Sequence, residues 1–158
     1  MAFDKAKEYL KELKLDKNIM EFDESSATVA EAAKLVPCLE DEIAKSMSFM
    51  VDDKPIIVVV SGNSRIDNSK FKEEFHTKAK MIPFDDVERL IGHAAGGVCP
   101  FGINKDVIVY LDESLKKHKI VYPACGNSKS AVKLKLEELE KASNYQKWIN
   151  VCKKNENI

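Results

Sequence analysis

The run Gly96-Gly97-Val98-Cys99-Pro100-Phe101-Gly102 holds the residue types closest to chemistry. Three glycines and a proline in one short stretch cannot continue a helix or sit in a central strand. Glycine admits positive φ and lets a ligand come close to the main chain. Successive N–H groups in such a turn form a concavity that holds an anion or a developing oxyanion. A plain connecting loop is the alternative. Cys99 adds a thiol, but no His is adjacent in sequence to lower its pKa, so the pattern gives little support to covalent catalysis. His93, three residues before the glycines, reads as a turn or surface residue. His76 and His118 lie among charged residues and read as solvated.

These residues need a frame. The chain has 158 residues, one domain by length (1–158, with a core at about 20–142) and enough for a real hydrophobic interior. Its net charge of −1 argues against a protein that coats nucleic acid through bulk electrostatics. The first twenty residues mix Lys, Glu and Asp with Leu, which predicts no cleaved signal peptide. No later stretch is long enough to span a bilayer, so no membrane role is expected. The four cysteines, Cys38, Cys99, Cys125 and Cys152, form no C-x-x-C pair. Reduced thiols in a cytoplasm, without a metal site, are therefore expected.

Phe3, Ala6, Leu10 and Leu13 recur at helical spacing, which predicts an amphipathic helix over 2–15. A short edge strand is expected at 18–22. Thr28 with Glu31 forms a capping box before an alanine-rich helix that Pro37 ends. Another short helix is expected at 39–44. Met47–Val51 and Pro55–Val60 read as a hairpin joined by Asp52-Asp53-Lys54. Its second arm lacks alternation and reads as a strand buried on both faces. Asp67 can cap a helix to about His76, 80–83 reads as a short strand, and 85–91 as a helix stopped by Gly92. Strands at 107–111, 119–124 and 131–134 follow, then closing helices that contain Trp148. Short strands interleaved with short helices predict an α+β domain on a mixed sheet.

Five segments then follow one another: Ser26 to Ala33, Ile43-Ala44-Lys45-Ser46-Met47-Ser48-Phe49, the glycine loop, Asp112-Glu113-Ser114-Leu115 and Ala124-Cys125-Gly126-Asn127. Their order and spacing resemble the YbaK/prolyl-tRNA-editing family. The likeness spans about 20–142. It implies a single α+β domain, a mixed, mostly antiparallel barrel-like sheet surrounded by short helices. It implies a trans-editing aminoacyl-tRNA deacylase, which hydrolyses the ester of a wrongly charged tRNA without a metal or other cofactor. The implied partners are the acceptor end of a tRNA carrying an amino acid and a prolyl-tRNA synthetase. A catalytically silent module binding an aminoacyl-adenosine-like ligand or a partner protein is the alternative.

The resemblance places a functional lysine at Lys45, facing a Gly-x-x-x-Pro loop at Gly96 to Pro100. An ammonium there would meet the substrate carbonyl or the terminal ribose and phosphate. The main-chain N–H groups of Gly97 and Val98 would position the attacking water or the oxyanion. A solvated helix-end lysine is the alternative for Lys45. Gly96, Met47, Cys99, Pro100 and Phe101 are expected to line an apolar substrate pocket. Phe22 falls where the family places an aromatic pocket residue, with a core phenylalanine as the alternative. A carboxylate found in some members is missing from Ser130-Ala131-Val132-Lys133, and Tyr122-Pro123-Ala124 stands where alanine-specific editors carry His-Pro-Leu. These differences bear on the amino acid removed, not on the reaction. Lys116, Lys117, Lys119, Lys129, Lys133 and Lys135 form a lysine-rich face, either simply solvated or a weakly basic rim for RNA.

Overall fold

A computed structural model describes residues 2–153. Helix α1 (Ala2–Glu12) buries Ala6 and Leu10 and turns its charged face outward. Strand β1 (Ile19–Glu21) follows a 3₁₀ turn. Helix α2 (Val29–Leu35) starts at the expected box: Thr28 accepts from the Glu31 N–H while Glu31 accepts from the Thr28 N–H. The helix expected at 39–44 is only a 3₁₀ turn at Glu40–Glu42, and strand β2 (Ile43–Val51) begins directly after it. Lys45 is therefore a strand residue, not a helix-end lysine. The Glu42 carboxylate caps the turn at the Leu39 N–H, so the three-residue acidic run ends without propagating.

β2 returns through Asp52 and Asp53, both at positive φ, into β3 (Lys54–Ser61). Such a two-residue turn matches the twist of the paired strands. Every β3 residue after Lys54 is buried. Ile57 and Val59 join the main cluster on one face, while Ile56, Val58 and Val60 join a second cluster with Phe49 and Phe71 on the other. Burial on both faces explains the missing alternation.

Helix α3 (Asn68–Phe75) is capped by Asp67 and ends at His76 in the left-handed region. The strand expected at 80–83 reduces to one bridge, Phe49 with Met81, since Pro83 has no N–H to extend a ladder. Helix α4 (Val87–Ile91) stops at Gly92. Strands β4 (Ile108–Asp112) and β5 (Ile120–Pro123) flank a 3₁₀ turn built on buried Leu115. The expected last strand splits into β6 (Ser130–Val132) and β7 (Leu134–Lys135), which pair with different partners. After α5 (Leu136–Ser143), Trp148 lies in strand β8 (Trp148–Ile149) and not in a helix.

The six-stranded sheet runs β7-β5-β2-β3-β4-β8, with β1 and β6 paired beside it. The β2–β3, β5–β7 and β1–β6 pairs are antiparallel, and β2–β5, β3–β4 and β4–β8 are parallel. The sheet is mixed and curls into a half-barrel, the α+β fold class that the sequence implies.

Candidate active site

A cleft of about 460 Å³ runs along one edge of β2. Both Lys45 and Met47, and also Ala44, Ser46 and Ser48, border it. Neighbouring residues on a strand point to opposite faces, so contact with both sets places the cleft along the strand's edge. The opposite walls come from Ser26–Thr28, from Gly96 and Val98 of the glycine loop, and from Ser130. Ser26 is held in place by its N–H to the Ser128 carbonyl and its hydroxyl to that of Ser130. Met81 and Phe84, both well exposed, form an apolar rim.

Lys45 is half-buried, and its ammonium donates to the Ser64 carbonyl at 3.0 Å. Burial lowers its pKa, Cys152 nearby opposes that shift and Arg65 adds to it. No other charged side chain lines the cleft among the described residues.

The glycine loop divides into a wall and an anchor. Gly96, at φ +92, and Val98 face the cleft. Gly97 does not: its N–H donates to the Ala94 carbonyl at 3.0 Å. A Cβ there would lie 2.5 Å from the Asn127 main chain. Its N–H is thus engaged in a turn, and the residue is glycine because two backbones touch. Cys99 and Phe101 are fully buried in the main cluster, where Phe101 stacks on Tyr9. Pro100 lines a separate small cavity beside Tyr9 and Asn104. The structure therefore does not bring Cys99, Pro100 or Phe101 to the cleft, and Phe22, which donates its N–H to Lys129, is also absent from its walls. The apolar types that suggested a pocket lining belong to the core beneath the loop.

His93 is that core's polar pin and not a surface residue. It is fully buried, with Nε2 at 2.7 Å from the Phe101 carbonyl. A carbonyl only accepts, so Nε2 carries the proton and Nδ1 is the bare nitrogen without a partner. The bond ties the loop's two ends together. Burial lowers the His93 pKa, the bond to Phe101 opposes this, and Lys5 adds to the lowering. The unfolded chain takes up a proton near 6.5 while the native state resists it, so this contribution is full above that pH and is lost as pH falls. His93→Asn should flatten the acid limb of a stability–pH curve, by at most about 1.4 kcal/mol per pH unit. Urea unfolding between pH 7.5 and 5 checks this.

Burial raises all four thiols, Cys38 to about 11, Cys125 and Cys152 to about 12, and Cys99 further. None is a thiolate at neutral pH, so iodoacetamide should leave the hydrolytic rate unchanged. Loss of activity that tracks alkylation would reinstate a cysteine mechanism.

The basic stretch also has internal partners. Lys117 and His118 contact Asp41 at 2.9 and 2.7 Å, and Lys116 sits over the Trp148 ring. His118 is consequently paired and not freely solvated. Lys119, Lys129, Lys133 and Lys135 remain exposed. Sequence reasoning named Ser26, Ser46 and Ser130 only within longer motifs and gave Met81 no site role, because polar or edge residues carry no periodic signal. Long-range pairing assembles them: Ser26 on Ser128 and Ser130, and Met81 bridged to Phe49 of β2.

The model for the aminoacyl-tRNA editing domain matches residues 23–142. The chain belongs to the aminoacyl-tRNA editing family, a family of deacylases. YwhH, an uncharacterized protein of Bacillus subtilis (strain 168), is 44% identical over 139 residues, covering 87% of this chain and 88% of YwhH. The "Putative Cys-tRNA(Pro)/Cys-tRNA(Cys) deacylase EbsC" of Enterococcus faecalis (strain ATCC 700802 / V583) is 27% identical over 93 residues, 58% of this chain and 57% of that protein. A solved structure titled "a putative trans-editing enzyme for prolyl tRNA synthetase" superposes with a TM-score of 0.86 at 25% identity, over 97% of this chain and 98% of that one. No helix among the described residues is long and apolar enough to cross a membrane.

Proposed function

We propose that the protein is a stand-alone trans-editing deacylase that removes a small, uncharged amino acid, cysteine or alanine, from proline tRNA. The observation that carries this reading is the cleft's charge: a single cation, Lys45, and no acid among its lining residues. Hydrolysis joins a water oxygen to the acyl carbon, breaks the bond to the ribose oxygen and leaves the proton on that oxygen. Negative charge grows on the carbonyl oxygen in between, and a preorganised cation or N–H there is worth about 3–4 kcal/mol. An aminoacyl ester needs no protein nucleophile. Lys45 supplies the charge, and the Val98 N–H is the loop donor left to this role once Gly97 is engaged with Ala94.

Without an acid to pair with, a basic side chain would lose its solvation uncompensated. The apolar walls discriminate one methylene by only about 1–3 kcal/mol, so some tolerance among small residues follows. Cytoplasmic action beside a prolyl-tRNA synthetase fits the likeness to prolyl-tRNA-editing proteins. The test is a panel of mischarged tRNAs, with cysteinyl, alanyl, seryl and arginyl esters on the same proline tRNA. Release of the small acyl groups, and not of arginine, is expected. Efficient release of arginine would overturn the specificity.

The bond from Lys45 to Ser64 favours a second reading, a module that binds the charged end without hydrolysing it. Binding of the mischarged tRNA with no release of any amino acid would establish that alternative.

A further inference from the structure

The cleft edge of β2 has a gap in its pairing. The hairpin turn makes Val51 and Lys54 a closely bonded pair, so the odd-numbered residues of β2 bond to β3. The even-numbered residues then direct N–H and C=O to the opposite edge. Two bonds agree: Met50 donates to the Lys80 carbonyl at 2.9 Å, and the Ser48 carbonyl accepts from Ile82 at 3.1 Å. At the other end of the strand, β5 pairs with β2 only at Ile43 and Ala44. Ser46 lies between these two neighbours and is reached by neither. Among the described residues its N–H and C=O have no backbone partner, although it borders the cleft.

From Ala44 to Ser48 the edge spans about 13 Å at roughly 3.3 Å per residue, room for one more residue to pair. We propose that the esterified amino acid fills this vacant register position. Its carbonyl oxygen accepts from the Ser46 N–H, and its α-ammonium donates to the Ser46 carbonyl. A single antiparallel bonded pair exchanges two such bonds between two residues. An aminoacyl ester carries both groups on one residue, as a strand residue does. The opposed side chain of an L-residue falls on the Ser46 face, toward Val87, Ala95 and Val98 of the main-cluster side. Recognition by sheet addition reads the main chain of the amino acid, while the walls read its size.

This inference rests on the deacylase reading, and the experiment separates the two. Ser46→Pro removes the N–H at an edge position where no sheet bond depends on it, a place that tolerates proline. Ser46→Ala removes only the hydroxyl. Single-turnover release of the acyl group is expected to fall at least 100-fold for Ser46→Pro and less than 10-fold for Ser46→Ala. In parallel, the wild-type protein is given alanyl-tRNA and N-acetyl-alanyl-tRNA, each rate divided by the uncatalysed rate of the same ester. Acetylation removes the ammonium, and the accelerated rate should fall at least 100-fold.

A folded Ser46→Pro variant within threefold of Ser46→Ala overturns the proposal, as does an acetylated ester hydrolysed as well as the free one. If Ser46→Pro does not fold, the ester comparison decides alone. Wild-type protein that releases no amino acid from any mischarged tRNA would remove the deacylase reading itself.

Discussion

Lys45→Ala is expected to slow deacylation at least 100-fold and to leave the protein folded. Lys45 is the single charged side chain of the cleft wall among the described residues, so nothing beside it replaces the lost positive charge. Removing one preorganised donor from an oxyanion site typically costs about 10²–10³ in rate. The structural cost is smaller. The ammonium makes one hydrogen bond, to the Ser64 carbonyl, and its loss should destabilise by about 0.5–1.5 kcal/mol. For a chain of this length that is a shift of roughly 1–6 °C in Tm. Burial lowers the Lys45 pKa, so the ammonium loses its proton at a lower pH than a free lysine. Activity that depends on it should decline on the alkaline side earlier than lysine's ordinary 10.5. A pH–rate profile of the wild type and thermal melts of both proteins test the two halves together. An unchanged rate in a folded Lys45→Ala would remove this residue from the mechanism.

The reach of the sequence is visible at Lys45. The resemblance drew attention to Ile43 to Phe49 and to the lysine within it, but the setting of that lysine was not legible. The stretch 39–44 read as a short helix, whereas the Glu42 carboxylate closes a single 3₁₀ turn on the Leu39 N–H. Local capping won over propensity there. Thr28 with Glu31, and the Asp52-Asp53 turn, were legible for the complementary reason: their chemistry is complete within four residues. Long-range relations left no such mark. His93 looked like a turn residue, but it is fully buried and bonded to the Phe101 carbonyl. The split of 130–135 into β6 and β7 depends on β1 and β5, which lie far away in sequence.

Gly97→Val should unfold the loop rather than tune it. Gly97 lies against Asn127 so closely that an added Cβ would sit 2.5 Å from its Cα and 2.7 Å from its N and carbonyl carbon. Those atoms are main chain, held in turn by the Asn127 side chain accepting from the Lys129 N–H. They cannot move aside as the tip of a flexible side chain would. Overpacking of this kind typically costs about 1–3 kcal/mol, and a branched side chain belongs at the upper end. About 3 kcal/mol corresponds to roughly 6–12 °C in Tm for a chain of this length. Gly96→Ala is the informative companion. Its Cβ would meet the side chains of Ala27, at 3.3 Å, and Ser128, at 3.8 Å, but the residue holds φ +92, where a side chain is strained. Gly96 faces the cleft, so this variant should lose rate in greater proportion than stability. Urea unfolding and single-turnover deacylation of both variants, taken well below their melting temperatures, give the comparison. A Gly97→Val protein of wild-type stability that no longer hydrolyses the ester would return that glycine to the substrate side of the loop, where its sequence position first suggested it.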